Sequence, residues 1–128
     1  MTVCDVCWYA AGLVQGVTVL DDIMYVVCFR SSTIRLYNKD TFSPLDVVIE
    51  VDGMKLPDDM VLSDRQLYVV ATCPVSHLCI WRVSVDDHSY LKWLELTTEF
   101  NFITLSVTSQ RLLVTSRRPP SLRQYSTT

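Results

Sequence analysis

The chain has 128 residues, of which 49% are hydrophobic, and its formal net charge is −3. This length corresponds to about one ordinary domain, which can bury a core. The acidic balance argues against a general nucleic-acid-binding protein, because such proteins normally carry a basic surface.

No apolar run approaches the roughly 18 residues that a membrane-spanning helix requires, so no membrane partner is expected. The first five residues lack the basic region of a signal peptide. The cysteines are odd in number and their spacings form no recognised disulfide framework; they are Cys4, Cys7, Cys28, Cys73 and Cys79. We therefore expect reduced thiols in a cytoplasmic protein.

The chain divides into a strand-like segment (1–15) and three similar units of about 44 residues (16–56, 57–101 and 102–128). The first unit predicts strands at 17–20, 23–28, 33–37 and 45–51. The second predicts strands at 60–62, 67–71, 79–83 and 90–96. The third predicts strands at 104–107, 112–115 and 121–125 and ends before a fourth. Tyr25 and Tyr68, in equivalent strands, are 43 residues apart.

Four short strands in about 44 residues are typical of one β-propeller blade. The second strand of each unit is apolar at consecutive positions, as expected for a strand covered on both faces. We therefore predict an all-β partial propeller of about three four-stranded antiparallel blades, the last incomplete, with ten to twelve strands in all. The core residues expected from equivalent positions are Tyr25, Val27, Leu67, Val69, Leu112 and Val114. An immunoglobulin-like sandwich is the alternative, although it need not repeat.

Particular blocks resemble a known family. The segments 16–28 with 32–34, then 67–71 with 79–84, then 104–109 with 111–116, are similar to blades of NHL-like propellers from multi-copy invertebrate families. The resemblance implies a six-bladed NHL-like or TolB-like ring that serves as an interaction platform. The chain departs from the family at Ala71-Thr72-Cys73, where relatives tend to have an Ala-Asp-Trp-type turn, and it lacks the later blades.

Candidate metal and catalytic groups are few. Cys4 and Cys7 have the spacing of half a zinc site, but no second pair matches it, so no bound zinc, other metal or cofactor is expected. His77 and His88 are expected in surface turns without a neighbouring nucleophile, so no catalytic residue is assigned. The Asp pairs 21–22, 58–59 and 86–87 are all expected at turns, where Asp bonds its own backbone.

Arg117 and Arg118, followed by two prolines, form the main basic cluster and a candidate binding loop. Trp8, Trp81 and Trp93 are expected to pack between blades.

These features predict a non-enzymatic protein-interaction scaffold with a protein partner. The alternative is a lactonase-like, metal-dependent propeller hydrolase. Three blades do not close a ring, so the chain is expected to be a fragment of a larger propeller, or to pair with a second copy that completes the ring. In both cases the outer faces of the first and last blades are expected to be apolar.

Overall fold

The computed structural model describes residues 14–72, 78–96, 103–117 and 120–128. These residues form eleven β-strands in three antiparallel sheets and no helix. The prediction of an all-β chain with ten to twelve strands is confirmed for this part of the chain.

Sheet 1 contains four strands, joined in chain order. They are β1 (Val14–Leu20), β2 (Ile23–Cys28), β3 (Thr33–Asn38) and β4 (Pro44–Glu50). The β1–β2 hairpin turns at Asp21, whose φ of 55° is in the left-handed region that Asp tolerates well. The β3–β4 turn is held by Asn38, whose side-chain oxygen accepts hydrogen bonds from the amides of Asp40 and Thr41. Polar turn residues therefore set the hairpins of this sheet.

Sheet 2 repeats the same order with β5 (Lys55–Ser63), β6 (Gln66–Thr72), β7 (Leu78–Ser84) and β8 (Tyr90–Leu96). Sheet 3 has three strands, β9 (Thr104–Thr108), β10 (Arg111–Arg117) and β11 (Pro120–Ser126). The third unit, predicted to be one strand short, therefore has three strands in the described residues. Strands β2 and β6 are buried at consecutive positions, as expected, because each has a hydrophobic cluster on both faces.

The sheets pack through two hydrophobic clusters. The first joins sheets 1 and 2 and includes Val27, Ile34, Leu67, Val69 and Trp81. The second joins sheets 2 and 3 and includes Tyr68, Val70, Ile80, Leu112 and Val114. The six predicted core residues are confirmed, since each is at most 5% exposed.

The first strands of the sheets lie next to each other, β1 against β5 and β5 against β9. Gly16 allows β1 to lie close to β5. A Cβ atom at Gly16 would lie 2.9 Å from both Cβ and the backbone nitrogen of Met60. Strands β1 and β5 could not pack this tightly with a side chain at that position.

The outer face of sheet 3 differs from the prediction. Along strands β9 and β10, buried side chains alternate with more exposed ones, and Leu105, Leu112 and Val114 are buried toward sheet 2. The opposite face presents mainly polar side chains, namely Thr104, Ser106, Thr108, Arg111, Thr115, Arg117 and Gln124, with Leu113 and Leu122 among them. The expectation that both end faces are apolar is therefore wrong for sheet 3, and so is the expectation that β10 is covered on both faces. The reason is that β10 has a core on one face only.

The outer face of sheet 1 is apolar, as predicted. It combines the buried cluster of Val26, Cys28 and Tyr37 with the half-exposed side chains of Val17 and Val19 on β1. The two end faces of the described sheets are thus chemically different.

The expectation of reduced thiols is wrong for two cysteines. Cys28 and Cys79 are both disulfide-bonded and both are at most 1% exposed. Cys4, Cys7 and Cys73 lie outside the described residues.

Candidate functional site

A cleft of about 540 Å³ opens at one end of sheets 1 and 2. Three pieces of chain form it: the turn after β2, the connection from β4 to β5, and the end of β6. Its lining residues are Arg30, Ser31, Ser32, Asp52, Gly53, Met54, Lys55, Leu56 and Thr72. A concave site built from turns on a rigid sheet framework is a common arrangement for binding.

The turn after β2 presents Arg30 to the cleft. The amide of Ser31 donates a hydrogen bond to the carbonyl of Cys28 at 3.1 Å, which closes a β-turn with Arg30 at its third position. The φ of Arg30 is 69°, in the left-handed region that a non-glycine residue occupies at a cost in free energy. The guanidinium lies 5.7 Å from the centre of the Phe29 ring. An exposed arginine is therefore held on a strained turn.

The connection from β4 to β5 forms the second wall. The amide of Met54 donates to the carbonyl of Val51 at 3.2 Å, and Gly53 occupies the third position of this turn with φ +88°. Glycine suits that conformation, which side chains rarely adopt. The amide of Asp52 donates to the Tyr90 hydroxyl at 3.3 Å, so β8 of sheet 2 anchors the turn.

The charged groups of the cleft are Arg30, Lys55 and Asp52. All three are exposed, and none forms an ion pair with another residue of the described ranges. Lys55 is paired in register with Thr72, which places it at the sheet 2 side of the cleft. The cleft therefore offers two cations from two different sheets beside one carboxylate.

The opposite end of sheets 1 and 2 is closed by an ion-pair bridge. Arg65, in the β5–β6 turn, contacts Asp86 at 2.7 Å and Asp21 of sheet 1 at 3.6 Å. The hydrogen bond to Asp86 is the main reason that the pKa of Arg65 is raised. Burial raises the pKa of the nearby Tyr25 hydroxyl. Arg65, Asp21 and Asp86 are thus engaged with one another, in contrast to the charged groups of the cleft.

The Asp58–Asp59 pair was expected at a turn, and that expectation is wrong. Both residues lie within β5, next to an irregularity in its register with β6. The Asp59 carboxylate accepts hydrogen bonds from the amides of Met60 at 2.9 Å and Leu105 at 2.8 Å, which links sheet 2 to sheet 3. Burial, and then the charge of Asp59, raise the pKa of Asp58. The pair acts in sheet packing, as a polar link between first strands.

The other two Asp pairs are at turns, as predicted. In the β7–β8 turn, hydrogen bonds from Ser89 hold the pKa of Asp87 below its usual range. His88 is half-buried in the same turn, and its amide donates to the carbonyl of Ser84.

The remaining predicted residues are only partly described. Arg117 is exposed at the end of β10, in register with Pro120, while Arg118 lies outside the described residues. His77 and Trp8 also lie outside them. Trp81 and Trp93 pack in the cores, as predicted; the Trp93 ring contacts those of Tyr68 and Tyr125. Within the part of the chain that the structure describes, no three His, Cys, Asp or Glu side chains are grouped as metal ligands.

The sequence analysis did not identify the cleft. Arg30 and Arg117 both follow or end the second strand of their sheets, so the repeat could have drawn attention to Arg30. The sequence contained less indication of the turn containing Asp52 and Gly53, because its position beside Arg30 depends on how the two sheets stack.

No protein-family model matches the sequence, and no curated protein matches it. Within the described ranges, none of the secondary-structure elements is a helix long and apolar enough to cross a lipid bilayer.

Proposed function

We propose that the chain is a non-enzymatic protein-binding module, and that its three sheets are consecutive blades of an NHL-like or TolB-like propeller. The support for the architecture is the repeated order of strands, the two cores between successive sheets, and the adjacency of β1, β5 and β9. In a propeller, the first strands of the blades surround the central axis and the turns at the blade ends bind partners.

The observation that carries the proposal is the pair of cations in the cleft. Arg30 and Lys55 come from different sheets, are exposed, and lack an ion-pair partner among the described residues. Holding Arg30 on a left-handed backbone costs free energy, which binding of a partner can offset. The partner that fits is an extended protein segment with acidic side chains. The net charge of −3 and the neighbouring Asp52 oppose a nucleic acid, which is charged at every phosphate, more than a short segment with a few carboxylates.

A metal-dependent hydrolase is not favoured by any feature of the described residues. Ring completion by a second copy also lacks support at sheet 3, because its outer face offers mainly Thr, Ser and Arg side chains for contact. A head-to-tail ring of two copies would have to bury these groups.

The test measures binding of a fluorescent decapeptide of alternating Glu and Ser, by polarisation at low salt. Wild-type protein should bind it, and the affinity should fall as salt is added. The double variant Arg30→Ala/Lys55→Ala should bind about tenfold more weakly, because two exposed ion pairs contribute about 0.2–1 kcal/mol each.

The matched control is Lys39→Ala/Arg111→Ala, which removes the same charge from exposed positions in the β3–β4 turn and at the start of β10. It should bind the peptide as the wild type does. Equal losses in the two double variants would indicate a general charge effect and would exclude the cleft as the binding site. No binding by wild-type protein would exclude an acidic segment as its ligand.

A further inference from the structure

The cleft is lined by apolar side chains as well as by its charged groups. Met54 belongs to the core between sheets 1 and 2 and also lines the cleft. Leu56 lines it too, and its side chain is exposed. A ligand that fills the cleft therefore meets apolar surface beside Arg30 and Lys55, and the two cations alone do not describe what the cleft can recognise.

Leu56 is held in an unfavourable backbone conformation. Its φ is 49°, in the left-handed region, where a bulky residue is an outlier. It also precedes Pro57, and a proline restricts the residue before it to extended conformations. Among the described non-glycine residues with positive φ, Leu56 is the one that lies within a strand. Strain of this kind costs free energy and is concentrated at sites that bind or react.

The left-handed conformation changes the direction of the Leu56 side chain. In a regular strand, Lys55 and Leu56 would point to opposite faces of the sheet. The pairing of β5 with β6 is irregular between Lys55 and Asp59, where β5 contains extra residues. A bulge can re-aim a side chain in this way. Lys55 and Leu56, although adjacent in sequence, consequently line the same cleft.

We propose that the cleft binds an extended acidic segment in which a large apolar side chain lies next to a carboxylate, and that Leu56 contacts this apolar side chain. The inference rests on the proposed function and adds a requirement to it. The carboxylates lie at Arg30 and Lys55, and the apolar side chain lies at Leu56. Burial of the exposed part of Leu56 on binding offsets part of the cost of its strained backbone.

Three fluorescent decapeptides of equal charge test this requirement by polarisation. One is the peptide of alternating Glu and Ser, and in the other two a central Ser is replaced by Leu or by Ala. Wild-type protein should bind the Leu peptide about tenfold more tightly than the Ala peptide, as expected for partial burial of one leucine side chain. Added salt should weaken binding of both peptides and leave this ratio unchanged, because apolar contact is not screened.

Variants of the protein locate the contact. Leu56→Ala should reduce the ratio to less than about threefold, because most of the apolar contact is removed. The matched control is Leu91→Ala, since Leu91 lies in β8, outside the cleft lining, and is similarly exposed. It should keep the wild-type ratio. Arg30→Ala/Lys55→Ala should weaken binding of all three peptides by a similar factor and also keep the ratio.

Comparison of Leu56→Gly with Leu56→Ala tests the left-handed backbone. Glycine adopts this conformation readily, whereas alanine does not. Leu56→Gly should therefore unfold at a higher urea concentration than Leu56→Ala, which is the reverse of the order expected inside a regular strand. Both variants should lose the preference for the Leu peptide.

The outcomes separate this inference from the proposed function. Equal affinity of wild-type protein for the Leu and Ala peptides would overturn the inference, while binding that is weakened in Arg30→Ala/Lys55→Ala would still support the proposed function. An undiminished preference for the Leu peptide in Leu56→Ala would overturn the inference as well, and so would a Leu56→Ala protein more stable than Leu56→Gly. Absence of binding by all three peptides would overturn both.

Discussion

Replacement of Gly16 by Ala tests whether β1 and β5 are packed as closely as the structure indicates. The new Cβ atom would lie 2.9 Å from Cβ of Met60, 2.9 Å from its backbone nitrogen and 3.1 Å from Cγ2 of Val27. Two of these three atoms cannot move away by a change of rotamer. Strand β1 would therefore have to shift relative to β5, the strand that joins it to sheet 2.

Two opposing effects determine the magnitude. Overpacking of a core costs about 1–3 kcal/mol. Loss of the conformational freedom of glycine in the unfolded chain stabilises by about 0.4–1 kcal/mol. With both effects near the middle of their ranges, the free energy of unfolding should fall by about 1–2 kcal/mol.

Urea unfolding followed by tryptophan fluorescence measures this change, which should lower the midpoint by about 0.5–1.5 M. Removal of the Met60 side chain beyond Cβ, in Gly16→Ala/Met60→Ala, should not restore stability, because the colliding Cβ and nitrogen remain. Val17→Ala, at the next and half-exposed position, should change stability by less than about 0.5 kcal/mol. A Gly16→Ala protein as stable as the wild type, or a rescue by Met60→Ala, would refute the close approach.

Three further predictions concern the packing of sheets 2 and 3. Asp59→Ala should lower the free energy of unfolding by about 1.5–3 kcal/mol, because the amide of Leu105 loses a charged acceptor; Asp59→Asn, which keeps an oxygen there, should lose less, and equal losses would argue against the bond. The pKa of Asp58 is raised in the folded protein, so protonation of this carboxyl favours the folded state. This contribution to stability is complete below the ordinary carboxyl pKa and is lost as the pH rises through the raised pKa of the folded state. Asp58→Asn should therefore stabilise the protein at neutral pH, with no gain in acid; a loss at neutral pH in urea titrations would contradict this. Leu112→Ala should cost about 2–5 kcal/mol and Leu122→Ala, 59% exposed, less than about 0.5 kcal/mol in thermal unfolding; similar costs would contradict the assignment of the two faces.

Much of the fold could be predicted from the sequence, because the strands repeat and their composition follows burial. Positions such as Tyr25, Tyr68 and Leu113 recur at spacings of 43 and 45 residues, so one well-marked strand helps to locate the others. The same reasoning failed for β10. The sequence has Leu112, Leu113 and Val114 in succession, whereas burial alternates from Leu112 to Ser116 and only one face of the strand is buried.

The cleft was harder to predict than the fold, because the residues that line it are far apart in the sequence. Arg30 and Lys55 line the same cleft only because sheet 2 stacks on sheet 1. Asp59 shows the same difficulty. An Asp pair beside Pro57 resembles a turn locally, and only its hydrogen bond to Leu105, 46 residues away, explains its place in a strand.

The difference between the two end faces gives the stack of sheets a direction. A further sheet packed beyond sheet 3 would bury hydroxyl and guanidinium groups for little apolar area, so the hydrophobic contribution to such packing would be small. Beyond sheet 1, the half-exposed side chains of Val17, Val19 and Val48 would still favour addition of more chain. Engineered extension of this repeat should therefore be more stable when a sheet is added to the first sheet than when it is added to the last, unless Thr104, Ser106 and Thr115 are first made apolar.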